Sequence, residues 1–409
     1  MDRVDRETVT VVGIGADGLP GLAPPALDAL RQAEVLAGST RQLGLLDASF
    51  PAERFAWTTP MMPAVEELLA TYRGRRIAIL ASGDPTFYGV GGRVMELAGT
   101  DRVRILPGLS SISLACARLG WQVQHVDVVS LVGRPHETVR AALAPGRRLL
   151  ILLSVAGAAA DVSRLITDAG YGGSPVALLE QLGADGEQLR RTTARTYDLA
   201  GQDYLSILAV ECVAVPGTVV LPRTPGLPDE AYETDGQLTK REVRALVLAA
   251  LAPVPGQLLW DVGAGSGSIG IEWMRVHPAS RAIAVEPRED RRAIIARNAS
   301  RLGVPGLHIV AGSAPEALEG LPEPDAVFVG GAVSAPGVLD ACVAALHPGG
   351  RLAANAVTVE SEAVLASWYE KLGGSLTRIA VQRAEPVGRF TGWRAAMPVT
   401  QWAFVKATG

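Results

Sequence analysis

The chain has 409 residues, which is enough for two or more domains, and its 48% hydrophobic and 20% charged residues describe an ordinary globular protein. The net charge of −4 disfavours nucleic acid as a partner. The longest apolar run, 149–160, is too short to cross a bilayer, and the first residues are too charged for a signal peptide. Three separated cysteines and five scattered histidines predict buried thiols and no metal site. We therefore expect a cytoplasmic protein.

The first predicted strand begins at Val9 and ends in a glycine-rich loop. Gly13, Gly15 and Gly18 formally match the dinucleotide fingerprint G-x-G-x-x-G. A proline-rich segment, 19–25, stands where that fingerprint requires a helix. The loop is therefore expected to bind or shape a site for a ligand other than a dinucleotide.

Two further strands, 76–82 and 103–106, also end in turns that are rich in glycine and proline. The first runs into Gly83-Asp84-Pro85, and the second runs into Pro107-Gly108 with Ser110 or Ser111 as the following helix N-cap. Strands that alternate with helices in this way predict a parallel α/β sheet.

These three loops resemble those of the tetrapyrrole (corrin/porphyrin) methylase family. The specific features are the Gly-Asp-Pro turn followed by Phe87 and Gly89, where we also predict a helix to begin, and the Pro-Gly-x-Ser-Ser helix start. The resemblance covers residues 8–214 and implies two α/β subdomains that meet near residue 145. It also implies that S-adenosylmethionine binds between them.

The resemblance implies one cofactor site in this first domain, formed by residues of the three loops. A turn residue before proline is the alternative role for the aspartate, and simple helix capping is the alternative for the serines. The cofactor candidates are Gly13, Gly15, Gly83, Asp84, Ser110 and Ser111.

Residues 215–229 are predicted to be a linker between two domains. Four prolines in fifteen residues make it stiff, and its apolar members suggest that it lies along a surface. The second domain, 230–409, is predicted to begin with a helix over 238–251, with Thr239 and Glu242 in a capping box.

The segment from Asp261 to Gly267 is the strongest ligand-binding motif in the chain. An apolar strand precedes it and a helical apolar pattern follows it, so a backbone turn can approach a nucleotide-like ligand closely. Glu286 ends the next strand, where a carboxylate suits ribose hydroxyls. The alternative is a glycine-rich turn without a ligand, which would carry an unneeded conformational cost.

Three further stretches resemble the decarboxylating precorrin methyltransferase domain of cobalamin biosynthesis. They are 236–244, 312–318 and 325–331, and the glycine motif from Asp261 to Gly267 is part of the same resemblance. The resemblance implies a Rossmann-like class I methyltransferase fold and assembly into a homo-oligomer through this domain. It also implies that the first domain methylates carbon 5 of a precorrin. The second would methylate carbon 15 and remove carbon dioxide from the ring C acetate.

The second site is also expected to hold S-adenosylmethionine, with backbone contact at the glycines, the ribose on Glu286 and the adenine edge near Ala314. Thr239 would close it from the first helix. Its residues are Thr239, Asp261, Gly263, Ala264, Gly265, Ser266, Gly267, Glu286 and Ala314.

The many carboxylates of a precorrin are expected to bind cationic side chains, for which a solvated surface position is the alternative. Asn355 and Glu360 are candidates to assist the decarboxylation, with a turn or helix N-cap as their alternative role. The candidate substrate cations are Arg41, Lys240, Arg244, Arg389 and Arg394.

Two other functions compete with this interpretation. A methyltransferase of this fold that modifies nucleic acid or protein amines usually carries an Asn/Asp-Pro-Pro-aromatic tetrapeptide, whereas this chain has Phe328-Val-Gly-Gly331. A non-catalytic sensor of an adenosyl ligand would not need two complete glycine sites.

Overall fold

A computed structural model describes residues 9–57, 61–153, 155–199 and 206–407. Residue 8, at which the first predicted domain begins, and residue 409, at which the second ends, lie outside these ranges. The charged N-terminal segment lies outside them as well. A strand that the sequence also predicts from Tyr204 has its first residues outside them. The chain forms two compact units, one of Met1–Arg134 with Gly146–Val215 and one of Pro135–Pro145 with Pro216–Gly409. The segment 135–145 thus belongs to the second unit, although the first predicted domain encloses it in sequence. Within the described ranges, no helix is long and apolar enough to cross a membrane.

The first sheet of unit one is parallel, with the strand order β3-β2-β4-β1-β5. From β1 the chain crosses β4 to reach β2, and from β4 it crosses β1 to reach β5. The direction of crossing therefore reverses between β1 and β4, which is where open α/β sheets bind ligands. The elements are β1 Val9–Ile14, α1 Pro24–Gln32, β2 Val35–Gly38, α2 Thr40–Leu43, β3 Glu53–Ala56, α3 Met61–Thr71, β4 Ile77–Ser82, α4 Gly91–Ala98, β5 Val103–Leu106 and α5 Ser111–Leu119.

The second sheet of unit one is mixed and has the order β6-β7-β10-β8-β9. The first two strands pair in parallel, whereas β10 is antiparallel to both of its neighbours. The second subdomain is predicted to begin near residue 145, whereas this sheet already includes β6, which ends at Ser130. Its elements are β6 Val126–Ser130, β7 Arg148–Leu153, α6 Ala158–Ile166, β8 Pro175–Glu180, β9 Gln188–Thr193 and β10 Ser206–Glu211.

Unit two contains a seven-stranded sheet of order β13-β12-β11-β14-β15-β19-β16, in which β19 runs antiparallel to both neighbours. This is the Rossmann-like order, so the predicted fold class is confirmed. The hairpin of β17 and β18 was not expected from the sequence. The elements are α7 Arg241–Leu251, β11 Leu258–Val262, α8 Ser268–Val276, β12 Arg281–Glu286, α9 Glu289–Arg301, β13 His308–Ala311, β14 Ala326–Val329, α10 Val338–Ala345, β15 Arg351–Ala356, α11 Val359–Leu372, β16 Ser375–Ile379, β17 Gln382–Val387, β18 Phe390–Ala395 and β19 Val399–Val405.

Both faces of the seven-stranded sheet are covered by helices. Leu259 packs in one cluster with residues of α7, α8 and α9. Trp260 and Val262 pack in another cluster with residues of α10 and α11. Side chains alternate between the faces of a strand, so β11 contributes to both cores. The central strand is therefore buried up to its last residue, Val262, which Gly263 follows directly.

Two helices begin later than the sequence suggests. In α4, the Gly91 amide donates to the Pro85 carbonyl (2.9 Å) and Tyr88 has φ of +54°, so residues 87–90 form a turn. In α7, Lys240 is the N-cap without a side-chain hydrogen bond, and Glu242 pairs with Arg383. The predicted capping box is therefore wrong, because a partner from β17 takes the glutamate.

Candidate active sites

The three loops of the first sheet meet backbone to backbone at the carboxyl ends of their strands. The Gly83 amide donates to the Ile14 carbonyl (3.0 Å), and the Gly108 amide donates to the Gly83 carbonyl (3.1 Å). A Cβ atom on Gly13 would lie 2.0 Å from the Gly83 oxygen and 2.2 Å from the Gly108 nitrogen. Gly13 is therefore required for the close approach of the loops themselves.

Gly15 has a different neighbour, the side chain of Asp17. A Cβ atom on Gly15 would lie 2.3 Å from Asp17 Oδ1, and one on Gly21 would lie 2.0 Å from Asp17 Oδ2. The carboxylate thus occupies the space between two glycines. Gly15 makes room for Asp17, so the negative charge lies directly beside the loop.

Two of the three polar candidates of this site, Asp84 and Ser110, have a local hydrogen bond. Asp84 Oδ1 accepts from the backbone amide (2.8 Å) and the hydroxyl (2.7 Å) of Thr86. Ser110 is the N-cap of α5, because its hydroxyl accepts from the Ile112 amide (3.2 Å). Ser111 is the first residue of α5 and is exposed. These contacts establish the structural roles, and cofactor binding by the same residues stays a prediction.

Arg41 lies at the same edge of the sheet. Its guanidinium donates to the hydroxyl of Ser82 (3.0 Å), the last residue of β4, and Gln42 Nε2 donates to the same hydroxyl (3.1 Å). Desolvation lowers the pKa of the Arg41 guanidinium. The Arg41 guanidinium therefore lies next to the Gly83 turn. A carboxylate group of a ligand could take the place of the water that burial removes from this guanidinium.

The glycine motif of unit two forms a turn at the switch point between β11 and β14. Gly263, Gly265 and Gly267 have φ of +70°, +59° and +74°, a region that side chains rarely adopt. A Cβ atom on Gly267 would lie 2.8 Å from Ile295 Cγ2, whereas one on Gly265 would approach only the Gln237 carbonyl, at 3.9 Å. The turn is packed at one end and open at Gly265, so a ligand can reach its backbone there.

Glu286 ends β12 beside this turn, and its carboxylate is buried. Oε2 accepts from the Gly265 amide (2.9 Å), and Oε1 accepts from the Arg288 amide (3.1 Å). Each oxygen retains a second acceptor position. The carboxylate is therefore fixed against the open glycine and can still accept hydrogen bonds from ligand hydroxyls.

Asp261 lies beneath the turn and is only 1% exposed. Its Oδ2 accepts from the Gly270 amide (2.9 Å), and its Oδ1 has no hydrogen-bond partner among the described residues. Burial raises the pKa of this carboxyl to about 7, against the lowering effect of the Gly270 hydrogen bond and with a further rise from the charge of Glu286. Asp261 therefore anchors the first turn of α8 and titrates near neutral pH.

A loop before α7 is held over the glycine turn. The Ser266 hydroxyl donates to the Gln237 carbonyl (3.0 Å). Asn298 Nδ2 donates to the carbonyls of Ser266 (3.0 Å) and Glu233 (2.9 Å), and its Oδ1 accepts from the Glu233 amide. Thr239 follows this loop. Sequence reasoning missed Asn298, and its only signal is a polar residue one helical turn after Ile294 and Ile295 on α9.

The prediction that Arg244 binds substrate is wrong. Its side chain has no exposed surface, and its guanidinium donates to Glu272 (2.8 Å) and Asp229 (2.8 Å). Glu272 also accepts from the Gly226 amide (2.6 Å), the Leu227 amide and the Tyr232 hydroxyl. Arg244 thus ties the linker to the second unit, because it lies on the inner face of α7.

Lys240 is exposed, and its Nζ lies 3.7 Å from Asp229 Oδ2. Two other candidate cations are carried by the β17–β18 hairpin, which is a separate two-stranded sheet. The Arg389 guanidinium lies 5.1 Å from the ring centre of Phe390, and Arg394 pairs with Glu385 (3.1 Å). The structure places neither of them at a strand end of the main sheet.

The remaining candidates lie after β13 and around the end of β15. Ala314 lies in the loop after β13. The strand β13 pairs with β12, which ends in Glu286. Asn355 belongs to β15, and its Oδ1 accepts from Gln401 Nε2 (3.2 Å). Glu360 is exposed in the first turn of α11. These three residues come from strand ends on the same edge as the glycine turn.

Two family models match the chain in succession. Tetrapyrrole (corrin/porphyrin) methylases match residues 8–198, and the precorrin methyltransferase domain matches residues 230–406. A relative from Sinorhizobium sp, described as precorrin-6Y C(5,15)-methyltransferase (decarboxylating), is 47% identical over 97% of this chain and 96% of its own.

Two shorter relatives match less than half of the chain. A cobalt-precorrin-7 C(5)-methyltransferase from Salmonella typhimurium is 32% identical over 44% of this chain and 88% of its own. A probable cobalt-precorrin-6B C(15)-methyltransferase (decarboxylating) from Pyrobaculum calidifontis is 37% identical over 43% of this chain and 93% of its own. With the full-length match, the chain belongs to the family of decarboxylating precorrin-6Y C(5,15)-methyltransferases.

Proposed function

We propose that this chain transfers methyl groups from S-adenosylmethionine to carbons 5 and 15 of a precorrin and removes carbon dioxide from the ring C acetate, in cobalamin biosynthesis. The observation that carries the proposal is the pair of glycine turns, one at the switch point of the first sheet and one at that of the seven-stranded sheet. The family resemblance supplies the substrate class. We assign carbon 5 to the first domain, 8–214, and carbon 15 with decarboxylation to the second, 230–409.

The residues of the second site fit S-adenosylmethionine. Gly265 leaves its backbone open to a ligand, and the buried Glu286 carboxylate can accept from ribose hydroxyls. The cofactor supplies a methyl group on a sulfonium that is already a good leaving group. The protein therefore needs mainly to align the reactants and exclude water, which can lower the barrier by about 7–11 kcal/mol.

Decarboxylation breaks the bond between the acetate methylene and its carboxylate. The electron pair enters the conjugated macrocycle, carbon dioxide leaves, and the methylene takes up a proton. The role of the protein is then to hold the arm away from water and to provide polar contacts. Asn355 and Glu360, at the end of β15, remain our candidates for these contacts.

Incubation with precorrin-6Y and methyl-labelled cofactor tests the activity. The product should gain two methyl groups and lose one carbon dioxide by mass spectrometry, and calorimetry should count two cofactor sites per chain. Cofactor binding without any change in the precorrin would support the sensor instead, and one cofactor site would contradict the assignment of one per domain.

The division of labour is tested by Gly265→Arg in the full chain. A large side chain at Gly265, the open glycine of the motif, should abolish methylation at carbon 15 and spare methylation at carbon 5. Gly256→Arg is the matched control, because Gly256 also has positive φ (+87°) but precedes β11 in an exposed turn with no atom near its Cβ position. Loss of both methylations in Gly265→Arg alone would indicate one shared site.

We also propose a cytoplasmic homo-oligomer assembled through the second domain. The three cysteines are buried free thiols, which suits a reducing compartment. Val387 and Phe390 are exposed cross-strand partners on one face of the β17–β18 hairpin, and Trp393 is exposed on its other face. This exposed apolar area is suited to self-association. Sedimentation velocity should show more than one chain per particle, and a monomer at all concentrations would refute the assembly.

A further inference from the structure

The turn after β4 holds an aromatic residue in an unfavourable backbone conformation. Tyr88 has φ of +54°, and only Gln181 and Ala252 share a positive φ among the described residues other than glycine. The turn is tightly constrained, because the Gly91 amide donates to the Pro85 carbonyl and a Cβ atom on Gly89 would lie 2.6 Å from the same oxygen. Such strain persists where surrounding structure enforces it, often at functional sites.

The strained residue gains little from burial. Tyr88 is 49% exposed and Phe87 is 42% exposed. Their rings meet edge to face, with centroids 5.0 Å apart and an interplanar angle of 82°. The turn therefore presents two large aromatic rings to the outside, immediately after the predicted cofactor residues Gly83 and Asp84.

A cation from the turn after β6 lies over this ring. The Arg134 guanidinium is 5.7 Å from the centre of the Tyr88 ring. No carboxylate among the described residues lies within 4.0 Å of its nitrogens, unlike Arg118 and Arg147, which have carboxylate partners. Arg134 follows β6, so the contact joins the carboxyl ends of strands from two sheets.

Exposed apolar side chains surround this pair. Leu109, in the loop after β5, is 64% exposed, and its carbonyl lies 3.3 Å from a Cβ position on Gly83. Val132 is also exposed and lies two residues before Arg134. The ends of β4, β5 and β6 thus combine aromatic and aliphatic surface with a guanidinium that has no acidic partner in the described part of the chain.

We propose that Tyr88 and Arg134 bind the substrate of the first domain. The Tyr88 ring stacks against the face of the flat conjugated macrocycle, and the Arg134 guanidinium binds one of its carboxylate arms. Aromatic surface beside a guanidinium that has no acidic partner among the described residues matches a planar polycarboxylate. This assignment rests on the proposed function and adds the residues that orient the macrocycle.

The test uses full-length Tyr88→Gly, Tyr88→Phe and Arg134→Gln, with precorrin-6Y varied at saturating cofactor and methylation at carbon 5 followed by mass spectrometry. Glycine adopts the positive φ of this position without strain, so Tyr88→Gly removes the ring without distorting the turn. We expect the KM for precorrin at carbon 5 to rise about tenfold in Tyr88→Gly and Arg134→Gln. Tyr88→Phe keeps the ring and should remain within about threefold of the wild type.

Two controls separate substrate binding from damage. Cofactor affinity should stay unchanged in all three variants, and the melting temperature should not fall in any of them. Arg164→Gln is the matched control for Arg134→Gln, because Arg164 is an exposed arginine of the same unit that pairs with Asp161. An unchanged KM in Tyr88→Gly, or an equal loss in Tyr88→Phe, would overturn the assignment. If the wild type methylated neither carbon, the proposed function itself would be wrong.

Discussion

Replacement of Asp261 by asparagine should change how the stability of the second unit depends on pH. The carboxyl is buried, one of its oxygens accepts from the Gly270 amide, and the other has no partner in the described part of the chain. Asparagine has the same shape and can keep the Gly270 hydrogen bond through its oxygen. The substitution therefore removes mainly the ionisation of a buried group.

The magnitude follows from the pKa of this carboxyl. Burial, opposed by the Gly270 hydrogen bond and aided by the charge of Glu286, raises it from 3.8 to about 7. The folded state thus retains the proton that the unfolded chain loses near pH 4, so stability falls as pH rises from about 4 to about 7 and is constant above. The full difference corresponds to roughly 4 kcal/mol, of which about 2–3 kcal/mol develops between pH 5 and pH 8.5.

The assay is denaturant unfolding of the wild type and Asp261→Asn at both pH values. The free energy of unfolding of the variant relative to the wild type should increase by about 2–3 kcal/mol from pH 5 to pH 8.5. Asp340→Asn is the control, because Asp340 is an exposed carboxyl on α10 of the same unit. If the stability of the variant relative to the wild type stayed constant or fell as the pH rises, the inference that burial dominates the pKa of this carboxyl would be refuted.

Two other substitutions test the second unit. Glu286→Ala should weaken cofactor binding at the second site by about 1–3 kcal/mol, because the ligand hydroxyls and the Gly265 amide lose their acceptor. Calorimetry measures the cofactor affinity, with Glu289→Ala, at an exposed position, as the control. An affinity equal to that of the wild type would remove Glu286 from the site. Glu272→Ala should destabilise the unit by about 3–5 kcal/mol, because it leaves the buried Arg244 guanidinium short of one charge partner and two linker amides without an acceptor. Denaturant unfolding that shows a loss below about 1 kcal/mol would contradict this role of the ion pair.

The strand ends were predictable because their signals are local. A β-branched or apolar run followed by glycine and proline marks both the end of a strand and the turn after it. The predicted β1, β4 and β11 therefore appear within a residue or two of their expected bounds. The capping box at Glu242 failed because a partner distant in sequence, Arg383, competes for the same side chain.

The long-range partners could not be inferred from the chain alone. From its charge and its position on a helix, Arg244 could equally bind a substrate. Only the packing of α7 shows that its side chain is buried and pairs with Glu272. Asn298 joins two loops that are distant in sequence from each other. The pairing of Arg134 with Tyr88 depends on how two sheets meet.

The sequence by itself determined the two glycine turns, the carboxylate after the second, and the family to which the pattern belongs, because each of these is encoded by residues close together in the chain. Only the tertiary structure decided what each turn leaves open. Gly13 is filled by neighbouring backbone and Gly15 by Asp17, whereas Gly265 faces free space. The reason is physical: a glycine permits close approach, and the surrounding fold determines whether a neighbouring strand or a ligand makes it.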